Sequence, residues 1–132
     1  MTKLRRIRLP EQLPEPISQY TDAVIADGWL WISGMIAVDK SGKLVGGDDV
    51  VAQAQRVFEN INAVLKAAGA GFDDIVKVTV YLTRIGDRAA VNTVRRHFFG
   101  ESRPASTLVE VSALVFPDAL IEVEAVARLP RP

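Results

Sequence analysis

Cysteine is absent from this 132-residue chain, and it carries one histidine. The first absence excludes a disulfide framework, thiolate catalysis and cysteine-ligated zinc or iron–sulfur centres. With His97 as the sole imidazole, the sequence argues against a metal site or a bound cofactor of that kind. Charge of one sign is lacking too, since sixteen basic residues balance sixteen acidic ones. No overall field draws the chain to nucleic acid or anionic lipid, and the absence of a basic aromatic face argues the same way against RNA. No stretch approaches the length of a membrane span. The basic start, with Lys3, Arg5, Arg6 and Arg8, has Leu4, Ile7 and Leu9 too scattered for a signal peptide, so the expected compartment is the cytoplasm. Val45-Gly46-Gly47-Asp48 has neither the spacing nor the lysine of a phosphate-binding loop.

What is present is ordinary globular usage, 48% hydrophobic and 24% charged, in a length that fits one domain over residues 1–132. Lys3 to Leu9 reads as a short basic strand, a common device against unwanted edge pairing. Ala23 to Asp27 and Trp29 to Ser33 flank Asp27-Gly28, a type I′ hairpin signal. Asp48 or Asp49 is placed to cap a helix with Val51, Ala54, Val57, Phe58, Ile61, Val64, Leu65 and Ala68 at helical spacing, and Gly69 stops it. Ile75 to Leu82 alternates, with Val76, Val78, Val80 and Leu82 expected on one face and Lys77, Thr79 and Tyr81 on the other. Asp87 is positioned to cap a second helix bearing Val91, Val94 and Phe98, ended by Gly100. Ser106 to Val111 and Leu120 to Leu129 read as closing strands.

This order predicts an α+β fold, a sheet of about six strands with two helices on one face. The other face is chemically mixed. In Leu120 to Val126, Ile121, Val123 and Ala125 point one way, while Leu120, Glu122, Glu124 and Val126 point the other. Self-association would cover such a face and place carboxylates in or beside an interface, where charges are costly unless paired. Glu122 is thus a candidate general base, or one half of an interface ion pair with an arginine, and Glu124 shares either role. Ser33 is a candidate ligand donor or a turn residue before Gly34. No base is poised to make it a nucleophile. Trp29 and Trp31, and Phe98 and Phe99, fit core or interface packing better than base stacking.

Four blocks, in order, carry a resemblance. They are Pro16-Ile17-Ser18-Gln19; Ile32-Ser33-Gly34-Met35-Ile36; Ala67-Ala68-Gly69-Ala70 running through Asp73 to Thr83; and Arg103 to Val111 with Ile121 to Ala127. Together with Ala90-Val91-Asn92 and Phe98-Phe99-Gly100 they resemble the Rid (YjgF) family of reactive-intermediate deaminases across nearly the whole chain. The resemblance implies a chorismate-mutase-like fold and a homotrimer around a central barrel, with small-molecule clefts between subunits. It also implies cofactor-independent hydrolysis of imines and enamines to ammonia and a keto acid. A glutamate at the position of Glu122 helps place water, and Ser33 and Asn92 line the cleft.

Two positions depart from that pattern. The arginine that holds the substrate carboxylate is replaced by Ser106, and a tyrosine by Ile17. A hydroxyl supplies neither the charge nor the paired donors of a guanidinium, a loss of roughly 2 to 4 kcal/mol, or about a hundredfold in affinity. The departure resembles family branches that include 2-aminomuconate deaminase. Arg95, three residues from Asn92 on the second helix, is a candidate replacement anchor for an acidic group, with Arg96 an equal candidate for plain surface. Two function classes follow, a deaminase of a small conjugated acid and a non-catalytic trimer that binds a metabolite. A ribonuclease is the weaker third.

Overall fold

The computed structural model describes residues 4–131. Its strands are β1 (Arg5–Ile7), β2 (Ala23–Ala26), β3 (Trp29–Met35), β4 (Ile75–Leu82), β5 (Ala105–Glu110) and β6 (Ile121–Arg128), and its helices are α1 (Val50–Ala67) and α2 (Arg88–Phe99). Lys3, at the start of the expected first strand, lies outside the described residues. The strands form one sheet in the order β1-β2-β3-β6-β4-β5. The β4–β5 pair is parallel and the others antiparallel. A parallel pair needs a crossover, and α2 supplies it. β6 enters last, between β3 and β4, and becomes the most protected strand of the sheet.

Local chemistry sets these elements. Asp27 and Gly28 both take positive φ, 53° and 81°, as a two-residue hairpin turn between β2 and β3 requires. At the start of α1, the Asp49 side chain accepts from the backbone N–H groups of Val51 and Ala52, satisfying donors the helix leaves free. The Val50, Ala54, Val57, Phe58, Ile61, Val64 and Leu65 stripe of α1 is buried. It packs on β3 and β6, whose inward residues Leu30, Ile32, Ile121, Val123, Ala125 and Ala127 complete the core. Phe72, Phe98 and Phe99 pack with Phe58 in an aromatic group, the Phe72 and Phe99 rings meeting edge-on at 5.0 Å.

Two expectations need correction. Asp87 occupies the N-cap position of α2 but makes no capping bond; its carboxylate accepts instead from Arg84 Nε at 3.1 Å. Val76 does not join Val78, Val80 and Leu82, because the pairing of β4 with β6 slips between Ile75 and Lys77. That irregularity turns Ile75 inward and leaves Val76 exposed. Of the core and interface alternatives for the tryptophans, the core one does not apply to Trp31, which is 52% exposed on the face away from the helices; the Arg128 guanidinium lies over the Trp29 ring.

Two buried amides on α1 fix the loops that matter below. Gln53, fully buried, donates to the carbonyls of Gly47 and Asp118 and accepts from Leu120 N–H, tying down the entry to β6. Asn60 donates to the carbonyls of Ile36 and Val38 and accepts from Gln12, pinning the chain that leaves β3. With every polar atom of these side chains engaged, each amide exchanges water for protein partners.

Candidate functional site

A slip in the pairing of β3 with β6 builds the first half of the site. Ile32 pairs with Ala125 and Met35 with Val123, so Ser33 and Gly34 together stand opposite Glu124. The bulge keeps both Ile32 and Met35 in the core and sets Ser33 and Gly34 toward the open face. There Glu122 lies directly against Gly34. A Cβ at position 34 would overlap Glu122 Oε2 and come within 2.9 Å of its Cδ, so the absent side chain is what gives the carboxylate room.

Glu122 sits in a cleft of about 400 Å³ lined also by Ile17, Tyr20, Ser33, Ile36 and Phe116. Its carboxylate makes no hydrogen bond or ion pair with another described residue. Burial, and then the nearby Glu124 carboxylate, push its pKa above the usual glutamate range. Glu124 is differently placed. It is exposed and accepts from the Tyr81 hydroxyl at 2.8 Å, a bond that raises the phenol's pKa. Ser33 Oγ donates to the Thr21 carbonyl at 2.6 Å, which leaves its oxygen as an acceptor in the cleft and speaks against a nucleophilic role.

The other expected residues stand elsewhere. Asn92 and Arg95 line a separate recess of about 500 Å³ between the end of α2 and the segment leading into β5, together with Arg96, Phe99, Arg103 and Pro104. The two hollows share no residue. Arg95 is half-buried, its Cζ 5.6 Å from the centre of the Phe99 ring, and burial lowers its pKa. Asn92 and Arg95 thus line one hollow, and within one chain it is not the hollow that holds Glu122. Ser106 is exposed on β5, paired with Val78 and lining neither hollow.

The chain matches the family model described as Endoribonuclease L-PSP over residues 10–129. It belongs to the Rid (YjgF) family. A RutC family protein of Pyrococcus horikoshii is 45% identical over 125 residues, covering 94% of this chain and 98% of that one. A 2-iminobutanoate/2-iminopropanoate deaminase of Capra hircus is 41% identical, covering 94% and 90%. A 3-aminoacrylate deaminase of Acinetobacter baylyi is 37% identical, covering 95% and 98%. Among solved structures, a Rid family protein from Yersinia pestis superposes with a TM-score of 0.89 at 36% identity, covering 96% of this chain and 100% of that one. The six-stranded sheet with its two helices is thus the Rid fold.

Sequence reading missed three parts of this Rid-family cleft. Tyr20 brings a half-exposed phenol to it, three residues from Ile17, which stands where the resemblance places a tyrosine. Gly34 had a signal, because glycine inside a strand marks a bulge or a close approach. Val115 and Phe116 come from a loop without periodicity; Phe116 packs against Ile36, Val38 and Ala119, and the Gln53 bonds hold that loop's end.

Proposed function

We propose that this chain is a cofactor-independent hydrolase of small imines or enamines, with Glu122 as the group that orients and deprotonates water. The observation that carries this reading is the Glu122 carboxylate itself, unpaired, desolvated and held over Gly34 in an apolar cleft. A carboxylate whose pKa is raised is a stronger base than one in water, and no protein cation competes for it. The named deaminase relatives support the reaction class.

In the proposed reaction an enamine first tautomerises to its imine. Water adds across the C=N bond, its oxygen to carbon, as Glu122 takes one water proton and passes it to the nitrogen, giving the carbinolamine. As the C–N bond breaks, the Glu122 carboxylate takes the carbinolamine hydroxyl proton and delivers it to the departing ammonia, leaving the carbonyl. The reaction consumes one water and needs no redox partner. Ser33 Oγ, already donating to Thr21, accepts a hydrogen bond from the ligand, and the Tyr20 phenol offers a donor on the other side.

The working unit in this reading is a homotrimer. The uncovered sheet face carries Trp31 and Val109, with Ile17 and Val115 exposed nearby, an apolar surface that a symmetric contact would bury. The same contact would set the Asn92 recess of one copy against the Glu122 cleft of the next. Ammonia release from freshly generated imines and enamines, including 2-aminoacrylate and 2-aminomuconate, tests the activity. Turnover abolished by Glu122→Ala supports it. Tight ligand binding without turnover on any panel member would favour a metabolite-binding trimer instead, a reading to which Ser106 and Ile17 lend weight.

A further inference from the structure

We propose that the recess beside α2 is a carboxylate-binding subsite with Arg95 and Arg103 as its donors, and that it selects ligands carrying two acidic groups. Three guanidiniums line this recess, those of Arg95, Arg96 and Arg103, against the single carboxylate of Glu101. None of the three forms an ion pair with a carboxylate among the described residues, although the same chain pairs Arg8 with Asp22 and Arg84 with Asp87. A guanidinium stays charged at any ordinary pH. Arg95, half-buried without a counter-ion, therefore carries a desolvation cost that a bound anion would offset.

Arg95 Cζ lies over the Phe99 ring, 5.6 Å from its centre, and its guanidinium makes no hydrogen bond with another described residue, so its N–H groups are available for a two-pronged contact with a carboxylate. Arg103 brings a further guanidinium-bearing side chain to the recess from the segment leading into β5. A single carboxylate would leave the recess with excess positive charge, and a second one balances it. In a hollow of about 500 Å³, a small dicarboxylate fits better than a polyanion. This inference rests on the deaminase reading only for the fate of the ligand, since anion binding here requires neither turnover nor Glu122.

Titration calorimetry with fumarate and with crotonate, which keeps the double bond but has one carboxylate, tests it on the whole chain. Fumarate is expected to bind about tenfold or more tightly than crotonate, and to weaken by about tenfold in Arg103→Gln and in Arg95→Gln. Arg88→Gln, on the exposed start of the same helix, should leave fumarate affinity unchanged. Arg103 is exposed, so its truncation leaves the core intact. Equal affinity for the two acids, no fumarate binding, or full retention in both arginine variants would overturn the proposal. Fumarate binding that follows this pattern, in a protein that releases no ammonia from any imine, would uphold the subsite while refuting the deaminase reading.

Discussion

The cleft around Glu122 has walls of Ile17, Ile36, Val115 and Phe116 about one desolvated carboxylate, whereas the recess beside α2 is polar, with three arginines, Asn92, Ser102 and the single carboxylate of Glu101. Each hollow holds charge that its own chain leaves unpaired, and the signs are opposite. An apolar wall around a base strengthens it, and an arginine-lined wall binds anions without doing chemistry. On the proposed reading the two hollows divide the labour, the carboxylate side transferring protons and the arginine side holding a substrate's acid.

The largest expected effect breaks the carboxylate side. Glu122→Gln should lower kcat by about 10²- to 10⁴-fold. The same variant should be no less stable, and the sign follows from linkage. A carboxylate whose folded pKa is raised favours the fold when protonated, and that contribution is lost as pH rises through the raised value. Removing the charge should therefore leave stability near wild type at acid pH and raise it at neutral pH, as denaturant midpoints at the two pH values would register. A variant that lost both activity and fold would contradict this assignment.

Next in size is Gly34→Ala. Position 34 does not take a positive φ, so alanine is tolerated by the backbone, and the three atoms nearest its methyl all belong to the Glu122 side chain. Moving that group off line should cost about 10- to 100-fold in kcat, with thermal unfolding little changed. Gln53→Leu sharpens the comparison differently. It strands Leu120 N–H and two carbonyls that the amide now serves, at about 1 to 3 kcal/mol of stability. Because those bonds hold the loop over the cleft, KM for the reacting substrate should rise while recess binding is retained. The smallest effect belongs to Glu124→Gln. Removing a neighbouring negative charge lowers the Glu122 pKa, so the acid limb of the kcat/KM profile should move to lower pH.

Much of the helix-covered half of this molecule was legible in the sequence, because burial writes its period directly. The α1 stripe, the Asp27-Gly28 turn and the alternation in β6 are each a local consequence of one packing requirement. Where pairing slips, local reading fails: Val76 looked like a core residue until the irregularity beside it is known, and Ser33 looked like a strand end when it lies inside β3 at a bulge. The cleft was half legible. Glu122 stands out as a charge on a mixed face, whereas Gly34 beside it reads as a turn beyond a strand end. Tyr20, Phe116 and Arg103 sit in irregular segments, where no periodicity says which way a side chain turns. Their placement depends on distant contacts such as those of Gln53.

The central claim is that one copy's carboxylate cleft works with the next copy's arginine-side recess. Subunit mixing tests it most directly. Glu122→Gln and Asn92→Ala are each made alone, then combined after mild dissociation and assayed on the imine that wild type turns over fastest. If neighbouring copies complete the site, the mixture regains roughly a quarter of wild-type activity, because random reassembly pairs an intact Glu122 with an intact Asn92 at about that fraction of boundaries. Activity equal to the sum of the two separate variants would contradict the account.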